Sequence, residues 1–323
     1  MTEITDVPLE RLLDSHRREL TAHCYRMLGS GFEAEDAVQE TLVRAWKNYD
    51  SFEGRASLRS WLYRIATNVC LDMLSSKQRR ARPMDFGEPA VAERATLRAR
   101  DEATWIEPIA DGKVLPDDDP GAIAVAKESI RLAFIGALQH LPPKQRAVLI
   151  LREVLRWKAE EVAELLDTSV ASVNSALQRA RATLAAQGLD ESAIVEPLDD
   201  DESELAARYV DAFERYDIEA LTALLHEDAT MSMPPYDLWL QGERDIVAWL
   251  LGPGKKCRGS RMVPVAANGS PAWGQYRCRE DGAGYDAWAL VVLETRDGKV
   301  SGINSFLDTD RLFPAFGLPL HLD

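Results

Sequence analysis

Between residues 35 and 46 the apolar positions Val38, Leu42, Ala45 and Trp46 recur at three- and four-residue steps. Asp36, Gln39, Glu40 and Arg44 fall on the other side, which predicts an amphipathic helix. A second stripe, Leu58, Trp61, Leu62, Ile65, Val69 and Met73, follows Ser57, a residue suited to cap a helix, and ends in Lys77-Gln78-Arg79-Arg80. Pro142-Pro143 breaks one helix, 130–141, and starts another. No strand pattern precedes residue 190. Beyond it, helices over 205–216 and 218–225 give way to β-rich runs at 230–233, 275–278 and 287–294. A further strand, 300–307, follows the hairpin signal Arg296-Asp297-Gly298. The pattern predicts a multidomain chain, two all-α blocks followed by an α+β domain.

Two irregular, acidic segments divide these blocks. The first, 83–122, contains Pro-Met-Asp-Phe-Gly-Glu-Pro and Leu-Pro-Asp-Asp-Asp-Pro-Gly and reads as a linker with little regular structure. The second, 188–202, lies in a stretch that carries eight carboxylates and no Lys or Arg by residue 204. The blocks are therefore 9–82, 123–187 and 203–323, and 323 residues suffice for two or three domains. The longest apolar run is 287–293, and the N-terminus has neither a basic nor an apolar region, so neither a signal peptide nor a membrane-spanning helix is expected. The four cysteines are widely spaced with no Cys-x-x-Cys pair. A reducing cytoplasm, no metal and no cofactor are the expectation.

The net charge of −15 argues against a protein that coats nucleic acid electrostatically. Its distribution changes that picture. Residues 1–190 carry −3 and 191–323 carry −12, while 41–82 hold nine basic side chains against three acidic ones. One stretch can meet phosphate where the rest cannot.

Residues 157–177 read as helix, three-residue turn, helix, with small Ala163 at the crossing and Ser169 capping the second helix. Val170, Val173 and Leu177 are expected inward. Ser169, Ala171, Ser172, Asn174, Ser175, Gln178, Arg179 and Arg181 remain for a DNA major groove, short polar groups for base edges and arginines for phosphates. A plain helical hairpin with a solvated face has the same pattern. In the basic stretch 55–82, cations interleave with aromatic rings, as unpaired bases require, and Phe52 is the stacking candidate. A solvated helix over core aromatics is the alternative there.

Taken in order, Glu33-Ala34-Glu35-Asp36-Ala37-Val38-Gln39-Glu40-Thr41, Trp61-Leu62-Tyr63-Arg64-Ile65-Ala66-Thr67-Asn68 and Leu141-Pro142-Pro143-Lys144-Gln145-Arg146-Ala147-Val148 resemble an extracytoplasmic-function sigma factor. The resemblance implies that Asp36, Gln39, Glu40 and Arg44 dock on core RNA polymerase, chiefly its β′ subunit with β as a further partner. It implies that Phe52, Asn68, Asp72, Lys77, Arg79 and Arg80 open and hold the promoter −10 element, and that 170–181 read the −35 element. Ser75 and Ser76 depart from the family's usual Arg, and Asp167 from its usual turn Gly. Asp tolerates the left-handed geometry that such a turn needs.

Residues 203–323 resemble the SnoaL-like α+β cone, on Tyr209-Val210-Asp211-Ala212-Phe213-Glu214-Arg215-Tyr216-Asp217, His226-Glu227-Asp228-Ala229-Thr230-Met231 and the helix at 242–251. Sigma factors with this extension form known subgroups, in which it is thought to act in place of a separate anti-sigma factor. Tyr209, Phe213, Met231, Met233, Trp239, Trp249, Trp273, Trp288 and Phe306 are expected on the concave face, as a pocket for a small-molecule ligand or as plain core. His226 and Asp228 suit either an acid/base pair or a cap with a surface pair. Two alternatives remain: a helix-turn-helix regulator, which needs no 9–82 block, and a small-molecule enzyme with a DNA-binding appendage.

Overall fold

The computed structural model describes residues 8–52, 54, 56–75, 79–117, 119–186 and 201–323. The chain forms two compact units, and neither is continuous in sequence: one comprises residues 1–80 and 112–196, the other 81–111 and 197–323.

The first unit is helical. Its elements are α1 (Leu9–Asp14), α2 (Arg17–Leu28), α3 (Gly31–Asn48), α4 (Leu58–Leu74), α5 (Pro120–Glu128), α6 (Leu132–Gln139), α7 (Pro143–Leu149), α8 (Ala159–Leu165) and α9 (Val170–Ala186). Ser30 caps α3 by accepting from the Glu33 amide, and Ser57 caps α4 by accepting from the Ser60 amide. Helices α2, α3 and α4 pack around Leu20, Tyr25, Met27, Val38, Leu62 and Ala66, all fully buried. Helices α6 and α7 pack on α2, α8 packs on α4, and α9 closes over α7 and α8. The α2–α4 and α6–α9 blocks therefore share one core.

Arg146 of α7 is the polar hub of that core. Its guanidinium donates to the Met27 carbonyl on α2, to Gln139 Oε1 (2.7 Å) and to the carbonyls of Gln139 (3.2 Å) and Leu141 (3.1 Å). Burial lowers its pKa to about 10, so it remains charged at neutral pH. Arg26 is likewise buried and donates to Ser129 Oγ at 2.6 Å.

The second unit is α+β. It holds α10 (Asp201–Arg215), α11 (Ile218–Leu224), β1 (Leu225–Ser232), β2 (Trp239–Gln241), α12 (Glu243–Leu251), β3 (Arg261–Ala267), β4 (Ser270–Cys278), β5 (Tyr285–Arg296), β6 (Lys299–Phe306), α13 (Thr309–Ala315) and β7 (His321–Leu322). The sheet runs β2-β1-β6-β5-β4-β3, with β7 added on β5; β1 and β6 are parallel and the other pairs antiparallel. Two hairpins turn on left-handed residue pairs, Asn268-Gly269 and Asp297-Gly298.

Segment 81–111 differs from its expectation as a free linker. It has short 3-10 turns and lies against its own unit through backbone pairing. Arg100 N donates to Pro235 O (2.9 Å), Asp237 N to Arg98 O (3.0 Å), Ala90 N to Trp239 O (2.8 Å) and Asn268 N to Ile109 O (3.0 Å). Asn268 Oδ1 in return accepts from Ile109 N. Ala92 enters the apolar core, Trp105, Ile106 and Ile109 are buried, and Arg82 bonds Glu294 at 2.8 Å. A segment without helical or strand periodicity gains order this way because its backbone partners lie far away in sequence.

Candidate functional site

Three surfaces carry the candidate chemistry. On α3, Asp36, Gln39 and Glu40 are exposed and Arg44 is half-buried. Arg44 Nε donates to Glu40 (2.6 Å) and Nη1 reaches Asp72 of α4 at 3.5 Å. The hydrogen bond to Glu40, opposed by some burial and aided by Asp72, holds the guanidinium pKa above its ordinary value. The expected polymerase face and the expected DNA face thus meet at one arginine. Trp46 departs from expectation: assigned to the apolar stripe, it is 57% exposed, because it lies in the last turn of α3 next to the solvent-exposed Lys47 and Asn48.

On α4, Asn68 and Asp72 are exposed. Phe52 is half-buried and packs on Trp61 (centroids 5.0 Å) and Tyr49 (6.1 Å), an aromatic trio at the start of α4. Arg79 is exposed with Nη1 2.6 Å from His140 Nδ1. Arg80 is not a free phosphate ligand: it is 6% exposed and its Nη2 lies 3.0 Å from Glu33 Oε1. Lys77 lies outside the described residues, as does Ser76, whereas Ser75 is an exposed helix end.

The α8–turn–α9 element carries the third surface. Asp167 adopts φ +49°, the left-handed turn geometry expected of it. Ser169 Oγ accepts from the Ser172 amide at 3.1 Å and so caps α9. Val173, Ala176, Leu177 and Ala180 are buried; Ser169, Ala171, Ser172, Asn174, Ser175, Gln178, Arg179 and Arg181 are all exposed. Arg181 is shared with Glu153 at 2.9 Å. Val170, expected inward, is 36% exposed, because it occupies the first position of α9, ahead of the buried stripe.

The second unit contains a cavity of about 370 Å3. Tyr209, Phe213, Met231, Met233, Trp249 and Trp288 line it as expected. Trp239, Trp273 and Phe306 do not. Side chains alternate along β6, so Ile303 and Ser305 face the cavity and Phe306 faces away, into a second cavity bounded by Trp105 and Leu312. Trp239 lies on the short β2 and donates its indole N–H to Gly87 O at 3.0 Å. Trp273 stacks on Tyr209 (centroids 6.0 Å), and burial raises the Tyr209 hydroxyl pKa well above its ordinary value. His226 and Asp228 also lie away from the cavity: the ring accepts from the Asp228 amide (3.2 Å) beside Arg296.

The sequence reading missed Arg277, Gln275 and Leu97 as lining residues. The alternation of β4 puts the first two on one face, since Gln275 and Arg277 are spaced by two. Nothing local signals Leu97, which comes from segment 81–111.

Two helical modules, the later one a helix-turn-helix, joined to an α+β cone define a promoter-recognition subunit of RNA polymerase with a fused C-terminal domain. Residues 12–80 match the sigma-70 region 2 family, 131–184 match sigma-70 region 4, and 206–303 match the SnoaL-like domain. The chain belongs to the extracytoplasmic-function RNA polymerase sigma factors. It is 46% identical over 313 residues to the sigma factor SigG of Mycobacterium tuberculosis, covering 95% of this chain and 82% of that one. It is 29% identical to SigJ of the same organism, over 91% of this chain and 90% of that one. The crystal structure of SigJ shares its fold, with a TM-score of 0.64 over 96% of this chain and 99% of that one. SigW of Bacillus subtilis is 32% identical over 54% of this chain and 86% of its own length. Among the described residues no helix is long and apolar enough to cross a membrane.

Proposed function

We propose that this sigma factor engages core polymerase in the cytoplasm through Asp36, Gln39, Glu40 and Arg44. Phe52, Asn68, Asp72 and Arg79 then hold the opened −10 element, and the exposed row on α9 reads the −35 element as duplex. The observation that carries the reading is α9 itself. Behind a left-handed Asp167 turn and a Ser169 cap, its exposed face runs from the polar Ser172, Asn174, Ser175 and Gln178 to the basic Arg179 and Arg181, with only Val170 and Ala171 apolar before them. That suits base-edge contacts followed by phosphate contacts. A stand-alone helix-turn-helix regulator has no use for the region 2 module over 12–80.

In this reading the C-terminal domain regulates initiation in cis, and its cavity lined by Tyr209, Phe213 and Trp249 is a small-molecule site. What supports regulation is that segment 81–111, the connector between the two promoter-reading modules, is built into the C-terminal unit. What supports binding over turnover is the lining of the cavity. Among the described residues it includes no Asp, Glu or His, and Tyr209 is held protonated by burial. Run-off transcription from the gene's own upstream region, with purified core polymerase and the full chain, tests the core of the reading. Initiation is expected with the wild type, with Asn174→Ala weakening it selectively on templates carrying the native −35 sequence. Absence of initiation on that template and on a promoter library overturns it.

A further inference from the structure

The reading of the Tyr209-lined cavity as a ligand site can be taken to the chemistry of its occupant. The wall is chiefly apolar, formed by Phe213, Met231, Trp249, Val291 and Ile303, among others. Two cations interrupt it, Arg277 and Lys256, and no carboxylate lies among the lining residues. Arg277 contacts only neutral groups. One Nη2 reaches the Cys257 sulfur at 3.0 Å, its guanidinium carbon lies 3.1 Å from the centroid of the Trp288 ring, and its buried Nε has no hydrogen-bond partner. Arg279, two residues on and just past the end of β4, is by contrast paired with Asp286 at 2.7 Å.

A guanidinium has five N–H donors, and removing it from water without an anion is unfavourable. Trp288 covers its face and leaves its donor edge for a planar acceptor, which a carboxylate satisfies in a two-bond fork. Lys256 is exposed to solvent, so a single monovalent anion matches the half-buried Arg277. At roughly 30 Å3 per heavy atom, 370 Å3 holds about a dozen such atoms. We propose that the cavity takes a medium-chain carboxylate, its carboxyl group on Arg277 and its apolar chain among the aromatic and methionine side chains. Leu97 of the connector forms part of the same wall, so occupancy bears directly on segment 81–111. This rests on the cavity being a ligand site.

Decanoate, with twelve heavy atoms, and the neutral alcohol of the same chain length, decanol, are the probes, titrated calorimetrically into the full chain. Decanoate is expected to bind at least tenfold more tightly than decanol. Arg277→Gln is expected to weaken decanoate to the level of decanol and leave decanol unchanged, which also reports an intact cavity. Because Arg277 packs on Trp288, Arg277→Lys is a second variant that keeps the charge, and a several-fold preference for decanoate is expected to survive in it. Equal affinities in the wild type, or a full preference retained in Arg277→Gln, overturn this assignment alone. Binding of neither probe to the wild type overturns it together with the ligand-site reading, while the promoter reading is judged separately by run-off transcription.

Discussion

His23 makes the helical unit acid-sensitive by an amount that can be worked from its surroundings. The ring is fully buried on α2, and its Nε2 lies 2.9 Å from Thr67 Oγ1 on α4. The Thr67 hydroxyl donates to the Tyr63 carbonyl at 2.7 Å, so Nε2 must carry the proton and Nδ1 the lone pair. Nδ1 is buried with no partner. Protonation there creates a buried, unpaired charge. Burial, with Arg26 and Arg59 adding to it, accordingly lowers the pKa from 6.5 to about 3. The unfolded chain binds the proton below pH 6.5 and the folded one does not, so stability is complete above that value and falls as pH drops through it. Between pH 7 and pH 5 the loss is about 2 kcal/mol from this one residue. His23→Gln keeps an N–H donor for Thr67 without a titrating group. Urea unfolding of both proteins, followed by helical circular dichroism at pH 7 and pH 5, is expected to show the wild type losing about 2 kcal/mol more than the variant. Identical losses refute the assignment of a neutral, buried His23.

Three further outcomes are expected. Trp46→Ala, a change at an exposed ring just past Arg44 on α3, should leave stability within about 0.5 kcal/mol and, if the proposed docking row continues to the end of that helix, weaken core-polymerase affinity tenfold or more, as measured by anisotropy of the labelled chain; unchanged affinity ends that row at Arg44. Arg179→Ala should weaken promoter binding by the reconstituted holoenzyme uniformly across −35 variants and reduce the salt slope by about one; a sequence-selective effect makes it a base contact instead. Asn268→Ala strips the Ile109 amide of its acceptor, a loss of about 1–3 kcal/mol, and should speed limited proteolysis within 95–111; an unchanged cleavage rate means that the connector is held elsewhere.

Much of the fold was legible because local chemistry and period agree. Ser57 and Ser169 announce their helices by side-chain capping, and Asp167 tolerates the left-handed turn that its position requires. The alternation at 287–294 and the turn at Asp297-Gly298 mark the central hairpin. Asn268-Gly269 is an equally local hairpin signal that went unread, and with it the strand Arg261–Ala267. Other features depend on packing that no window of sequence contains. Arg80 looks like a phosphate ligand until Glu33, nearly fifty residues earlier, is brought against it. Trp46 fits an apolar stripe by phase, but the phase of a helix does not say where its neighbours end. The cavity was half legible: the aromatic content was visible, whereas assigning Trp239, Trp273 and Phe306 needed strand register and assigning Leu97 needed the connector's distant partners.

The interleaving of the two units also sets an order of events during synthesis. Segment 81–111 leaves the ribosome with everything required for the helical unit following soon after it, up to about residue 186. The strands and loops that hold the segment, from Pro235 to Asn304, emerge only later. At about 5–20 residues per second, the 197–323 portion takes roughly 6–25 s to translate. A nascent molecule therefore passes through an interval in which both promoter-reading modules can be folded while their connector is unclaimed. Any message truncated before the C-terminal domain would leave its product permanently in that state.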